Sequence, residues 1–162
     1  MNSLNAWYEK LGRTKFLNLA AALMFASDAL NFSYIQYHML PNLITPNYLA
    51  SVHALGGIQS AGLNPLYLEE LGQVIGNSLF YVFAGFLIYH GFIYFRLSKN
   101  SRWAKRYVSF YTLTGAVLTL MELPSLVARS LPWSAAMLVT TGVYVFAFWG
   151  LRLLKKKEAP QT

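Results

Sequence analysis

Long apolar stretches alternate with short polar segments along this chain. Four such stretches occupy Phe16–Tyr37, Leu71–Phe95, Tyr107–Val127 and Trp133–Leu151. Each is close to the roughly 20 residues that an α-helix needs to cross a hydrocarbon layer about 30 Å thick. The pattern therefore predicts an all-α integral membrane protein with four transmembrane helices.

The segments between these stretches predict how the helices are connected. Residues 97–106 and 128–132 are short links, and short links join antiparallel neighbours, so we expect an up-down bundle. We predict a single membrane domain over residues 1–162. Its expected parts are an amphipathic interfacial helix at 3–12, transmembrane helices at 16–37, 65–98, 105–127 and 133–152, an outer cap at 41–64 and a basic tail at 153–162.

Two proline signals predict helix starts in and after the outer cap. Thr45-Pro46 and Asn64-Pro65 each place a capping side chain directly before a proline at the first helical position. They indicate a short helix at 46–55 and a second transmembrane helix that begins near Pro65, outside the bilayer. We therefore expect the cap to be partly helical rather than a flexible loop.

Positive charge is concentrated at particular ends of the predicted helices. Twelve of the 13 Lys and Arg residues form clusters at 10–15, 96–106 and 152–157, and only Arg129 lies elsewhere. Cytoplasmic segments retain positive charge, so both termini and the middle loop are expected on the cytoplasmic side of a prokaryotic plasma membrane. The net charge of +7 is explained by these positions, which meet anionic lipid headgroups, and it does not indicate a nucleic-acid partner.

A polar stripe deep in the first predicted span is the leading candidate site. Asp28 lies near the expected midplane, where a carboxylate costs about 2.5–3.5 kcal/mol on insertion scales. Helical spacing places Asn31 in the same sector as Asp28. Such a stripe faces protein or water, so it predicts either a binding or conduction site or an interhelical hydrogen-bond staple.

Three more residues are candidates for the same ligand site. Glu122 lies in the outer half of the third span, where Arg129 is available as an ion-pair partner. Asn77 lies on the second span and could complete an outer polar pocket. His90, in the inner part of that span, is either a hydrogen-bonded packing residue or an inner proton relay.

The residue types that hold cofactors do not form a recognisable set. There is no cysteine, which excludes disulfides, iron–sulfur clusters and thiolate metal sites within this chain. His38, His53 and His90 are predicted at different depths, so they provide no pair for haem and no zinc spacing. No nucleophile, metalloprotease, phosphate-loop or dinucleotide motif is present. We expect no cofactor and no metal.

Three classes of function are compatible with this sequence. The favoured one is a small transport or channel-like protein that binds a small polar or cationic ligand at the intramembrane polar cluster. The alternative is a non-catalytic subunit or assembly factor of a larger membrane complex. The third is a lipid- or isoprenoid-modifying enzyme with Asp28 and Glu122 as acid and base. Of the three classes, the enzyme is the least favoured by the sequence. The expected partners are membrane lipids, further copies of the chain or partner subunits.

Overall fold

The structure, a computed structural model, describes residues 2–55, 64–127 and 130–158, and these contain helices and no strand. The α-helices are α1 Asn2–Leu11, α2 Arg13–Tyr34, α3 Leu40–Leu43, α4 Pro46–Leu55, α5 Pro65–Ser98, α6 Arg102–Val127 and α7 Leu131–Glu158. A π-helical turn, Ile35–Met39, joins α2 to α3. The chain is therefore all-α over its described residues.

Helix starts follow the capping signals in the sequence. The Thr45 side chain accepts a hydrogen bond from the Tyr48 backbone N–H (3.2 Å), at the start of α4. The Asn64 side chain accepts one from the Leu66 N–H (3.1 Å), at the start of α5. In both cases the cap satisfies a donor that has no partner within the helix. The predicted glycine stop at 56–57 lies outside the described residues.

The break between α5 and α6 is made by a residue in the left-handed conformation. Asn100 has φ 62°, and two hydrogen bonds close the helix end, from Asn100 N to Leu97 O (2.8 Å) and from Ser101 N to Arg96 O (3.1 Å). This is the Schellman pattern, for which Asn is a common alternative to Gly. The Asn100 side chain also accepts two hydrogen bonds from the guanidinium of Arg13, at the start of α2.

The chain divides into two compact units, Met1–Leu30 with Tyr89–Thr162, and Asn31–Ile88. In the first unit, buried positions recur every three or four residues on each long helix, as helix packing requires. Its apolar core comprises Phe16, Leu17, Ala20, Ala21, Met24, Ile93, Tyr94, Leu97, Ala104, Val108, Ala116, Tyr144, Ala147 and Leu151. Helices α6 and α7 pack directly against each other in this unit.

Helix α1 packs against the first unit through its aromatic side chains. The Tyr8 hydroxyl donates to the backbone carbonyl of Phe146 in α7 (2.7 Å), and the Tyr8 ring stacks on the Phe146 ring at 5.4 Å between centroids. Gly150 makes this approach possible, because a Cβ there would overlap the rings of Phe16 and Tyr8. The segment predicted as interfacial is thus helical and in contact with α7.

In the second unit, the glycines of α5 pack within the chain. A Cβ on Gly72 would lie 3.1 Å from the Ile44 side chain and 3.5 Å from that of Leu49. Gly76 also faces Ile44, at 3.9 Å. These glycines therefore allow Ile44 and Leu49 of the same chain to approach α5 closely.

Three of the described helices are long and apolar enough to cross a membrane: Arg13–Asn42, Leu66–Ser98 and Leu131–Lys155. Helix α6, the fourth predicted span, is not among these three. Its 26 residues include three basic residues near its start and several Ser, Thr and Tyr hydroxyls. Many large apolar side chains are exposed, including Tyr81, Phe86 and Ile88 on α5. These features are consistent with an integral membrane protein.

Candidate functional site

The buried face of α2 ends in polar residues. Phe16, Ala20 and Met24 are apolar and buried, and the same face continues with Ser27 and Asp28, which are also buried. Asp28 is only 7% exposed, so its carboxyl group must find its partners inside the protein.

Four side chains from three other helices bond to the Asp28 carboxyl group. One oxygen, Oδ2, lies 2.7 Å from His90 Nδ1 and accepts a hydrogen bond from the Tyr94 hydroxyl at 2.5 Å. The other, Oδ1, accepts from the Tyr111 hydroxyl at 2.8 Å and from the Tyr144 hydroxyl at 3.2 Å. Asp28 therefore joins α2 to α5, α6 and α7 in the first unit. We call these five residues together with Tyr107 the Asp28 cluster.

Tyr107 links the cluster to a less buried position. The second ring nitrogen of His90, Nε2, lies 2.9 Å from the Tyr107 hydroxyl. Tyr107 is half-buried, and its ring is stacked parallel to that of Tyr111 at 6.2 Å. It lies five residues into α6, about 8 Å from the basic start of that helix. Asp28, His90 and Tyr107 thus form a hydrogen-bonded chain from a buried carboxyl group toward the end of α6.

This arrangement accommodates two protonation states of His90. In the neutral ring, Nδ1–H donates to Asp28 and Nε2 accepts from the Tyr107 hydroxyl. In the charged ring, Nε2 also carries a proton and donates to the same hydroxyl, which needs only to rotate. A proton can therefore be gained or lost at Nε2 without breaking either contact of His90.

The carboxyl group is well matched to accepting hydrogen bonds and poorly placed to bind a free cation. Three tyrosine hydroxyls and the His90 ring supply four donors, and an ionised carboxylate offers about four lone-pair positions. A metal or organic cation would have to displace Tyr94 or Tyr111 before it could contact Asp28. The geometry thus favours proton exchange over cation coordination at this group.

Local sequence positions the tyrosines. Tyr94 follows His90 by four residues on α5 and Tyr111 follows Tyr107 by four on α6, so each pair shares a helix face. On α7, the Tyr144 ring fits against Gly115 of α6 because glycine has no side chain. A Cβ on Gly115 would lie 2.7 Å from the ring. Gly115 therefore sets how closely Tyr144 approaches Asp28.

Of the five residues that the sequence nominated, the structure brings Asp28 and His90 together. Glu122 is exposed and lies 11 residues beyond Tyr111 on α6, about 16 Å further along the helix. It therefore does not join the Asp28 cluster as a supporting ligand or as the second member of an acid–base pair. Asn31 and Asn77 belong to the second unit. Arg129, the predicted partner of Glu122, lies outside the described residues.

Sequence reasoning missed the tyrosines as site residues. Trp and Tyr are enriched at membrane interfaces, so their abundance in an apolar chain does not single out site residues. The signal that could have found them is the helical spacing of His90 with Tyr94 and of Tyr107 with Tyr111. Thr141 bonds to the Met137 carbonyl of its own helix (2.9 Å), whereas the buried Thr140 hydroxyl makes no hydrogen bond to the described residues.

The second unit contains a separate polar cleft of about 310 Å³. Its wall includes Gln36 from the π-helical turn, and Glu69 and Gln73 from α5. The Gln36 side-chain oxygen is buried and makes no hydrogen bond to the described residues.

Comparison of the chain with protein-family models, with curated proteins and with solved structures finds no match. The geometry of the Asp28 cluster is therefore the basis for a functional proposal.

Proposed function

We propose that this is a proton-translocating membrane protein of the transport class, with the Asp28–His90 pair as its proton-binding centre. The observation that carries the proposal is the chain of contacts from Tyr107 through His90 to Asp28, at 2.9 and 2.7 Å. It offers a buried group that can exchange a proton while every member stays hydrogen-bonded. Intramembrane ionisable residues with specific partners are characteristic of proton pathways.

The proposed architecture is four antiparallel transmembrane helices, with the termini and the 99–101 turn on the cytoplasmic side and a helical cap outside. Helices α2, α5, α6 and α7 would be the spans. Helix α6 contains several hydroxyl side chains, and some of them bond to the backbone of their own helix. Thr112 and Thr119, for example, are buried and bond to the carbonyls of Val108 and Gly115. The orientation is supported by the basic clusters at the ends of these helices.

In that arrangement, hydrogen-bonding side chains extend from the cluster toward the outer side along α7. Tyr144 is followed by buried hydroxyls at Thr141, Thr140 and Ser134, the last of them about 15 Å from Tyr144 along the helix. Tyr107 extends the cluster in the opposite direction. The two directions together would supply exchangeable groups on both sides of the Asp28–His90 pair, which proton passage requires.

The test is proton flux into proteoliposomes that contain the purified protein and an internal pH-sensitive dye. A potassium gradient with valinomycin supplies the driving voltage. We expect flux above that of protein-free vesicles, reduced to background by Asp28→Asn or His90→Gln and partly reduced by Tyr107→Phe. Wild-type flux equal to that of empty vesicles would contradict the proposal.

Matched controls separate proton transfer from general damage. Glu70→Gln makes the same acid-to-amide change at an exposed position of α5, and Tyr81→Phe removes an exposed tyrosine hydroxyl. Both should retain wild-type flux. If Asp28→Asn also retains it, the cluster acts as a hydrogen-bond staple. The interpretation as a non-catalytic subunit of a larger complex then takes precedence.

A further inference from the structure

A basic cleft lies between α6 and α7, near the beginning of α6 and the end of α7. Its volume is about 390 Å³. Five of its lining residues are cationic: Arg102, Lys105, Arg106, Arg152 and Lys155. The lining residues that the structure describes include no carboxylate. All belong to the first unit, and none of them bonds to Asp28, so the cleft is distinct from the Asp28 cluster.

Helical spacing creates the two walls of this cleft. The α6 wall consists of residues 102, 105, 106 and 109, and the α7 wall consists of residues 148, 151, 152 and 155. Both sets follow the i, i+3, i+4, i+7 pattern that defines one face of a helix. The cleft is therefore a regular feature of two packed helices rather than a chance gathering of flexible side chains.

The cations on α6 are not explained by the stability of that helix. Arg102 lies in its first turn, and Lys105 and Arg106 follow directly. The partial positive charge of the helix dipole disfavours a basic side chain in the first turn. The first turn of α6 also contains no acidic residue. A bound anion would offset this repulsion and accept hydrogen bonds from the same region.

The α7 wall indicates that the anion belongs to a lipid. Phe148 and Leu151, toward the apolar layer, are followed by Arg152 and Lys155 toward the helix end. The Arg152 guanidinium lies 5.9 Å from the centre of the Phe148 ring. This change from apolar to basic matches the order of acyl chain and phosphate in a phospholipid. Phosphate or a soluble phosphate ester has no acyl chain to contact Phe148 and Leu151.

We propose that the cleft is a specific binding site for an anionic phospholipid of the cytoplasmic leaflet, whose phosphate is held between α6 and α7. Cations on both walls favour a headgroup with two phosphates, such as that of cardiolipin, over one with a single phosphate. Basic pockets between transmembrane helices on the cytoplasmic side are suited to such headgroups. The proposal requires the membrane orientation given above, but it does not require proton transfer.

Native mass spectrometry of the full chain in a mild detergent tests this site. Cardiolipin, phosphatidylglycerol and phosphatidylcholine with matched acyl chains are titrated separately. We expect one cardiolipin per chain to bind most tightly and phosphatidylcholine most weakly. The double variant Arg106→Gln/Arg152→Gln should weaken cardiolipin binding roughly thirty-fold, taking about 1 kcal/mol for each basic residue and 1.4 kcal/mol for each factor of ten.

The matched control removes the same charge nearby. Arg96→Gln/Lys99→Gln changes two exposed cations at the end of α5 that do not line the cleft, and it should bind cardiolipin as the wild type does. Equal loss in the two double variants would mean that only the overall charge matters and would overturn the site. Arg106→Lys/Arg152→Lys keeps the charge, so it should retain most of the binding and guards against misfolding of the glutamine variant. No binding by this lysine variant in folded protein would also contradict the proposed site.

Two further measurements distinguish a lipid site from a soluble-phosphate site and lipid binding from proton flux. Millimolar inorganic pyrophosphate should leave the cardiolipin adduct in place, and complete displacement would indicate a site for soluble phosphate instead. Proton flux is measured on the same glutamine variant. Loss of lipid binding with retained flux would support the lipid site independently of the proposed function. Cardiolipin binding by the wild type without any flux would uphold the lipid site while refuting proton translocation.

Discussion

Replacing Asp28 with leucine tests how much the hydrogen bonds to Asp28 contribute to the free energy of unfolding. The change removes the acceptor of four donors, of which Tyr111 and Tyr144 can turn to each other because their hydroxyls are 3.4 Å apart. His90 Nδ1 and the Tyr94 hydroxyl then lose this acceptor. Each buried polar group left unsatisfied costs about 1–3 kcal/mol. Asp28→Leu should therefore lower the free energy of unfolding by roughly 2–6 kcal/mol, allowing for two such groups.

Asp28→Asn serves as the comparison because it keeps the size and most of the bonding capacity. The amide oxygen can accept from Tyr111, while the amide N–H groups can donate to the Tyr94 oxygen and to the other tautomer of His90. Only the charge assistance of the bonds is lost, so we expect a cost of about 1–2 kcal/mol. Leucine should therefore be clearly the more damaging substitution.

The assay is unfolding in mixed micelles with increasing denaturing detergent, followed by tryptophan fluorescence. Helix content before unfolding confirms that each variant starts from the folded state. If the free energy of unfolding of Asp28→Leu is within about 0.5 kcal/mol of the wild-type value, the hydrogen bonds to Asp28 do not stabilise the fold as predicted. If asparagine proved as damaging as leucine, the charge of Asp28, rather than its number of hydrogen bonds, would hold the four helices together.

Three more predictions concern the packing around the cluster and around α1. Gly150→Ala should lower stability by about 1–3 kcal/mol, because its Cβ would overlap the Phe16 ring and lie 2.6 Å from that of Tyr8; stability unchanged in micelle unfolding would contradict the close approach of α1. Gly115→Ala should displace the Tyr144 ring and lower proton flux more than Gly142→Ala, since a Cβ at Gly142 meets nothing within 4 Å; equal flux in the two variants would mean that the position of Tyr144 is unimportant. Burial raises the pKa of Tyr8 from 10.0 to about 12. The folded chain therefore holds this proton more tightly than the unfolded chain, and the stabilisation is complete below pH 10 and lost as pH rises toward 12. Melting temperatures of the wild type and Tyr8→Phe should accordingly converge between pH 10 and 12, whereas a constant difference would assign the effect to other groups.

The local features of this protein follow from its sequence. Apolar stretches of span length, the caps at Thr45 and Asn64 and the prolines after them predict where the long helices and α4 begin. They do so because helix formation depends on bonds between residues four apart and on side chains next to the helix ends. The sequence also indicates that Asp28 needs a partner within the protein, because it is a lone carboxylate in an apolar stretch.

Only the tertiary structure decided which partners Asp28 has. Sequence patterns nominated Asn31, Asn77, His90 and Glu122 beside it because these are polar residues of the predicted spans, and of these His90 bonds to Asp28. The observed partners His90, Tyr94, Tyr111 and Tyr144 lie 62, 66, 83 and 116 residues away along the chain. A helix's own sequence determines which of its faces is polar. Which residues of other helices meet that face depends on rotation and axial offset, and these are set by contacts such as that of Gly115 with Tyr144.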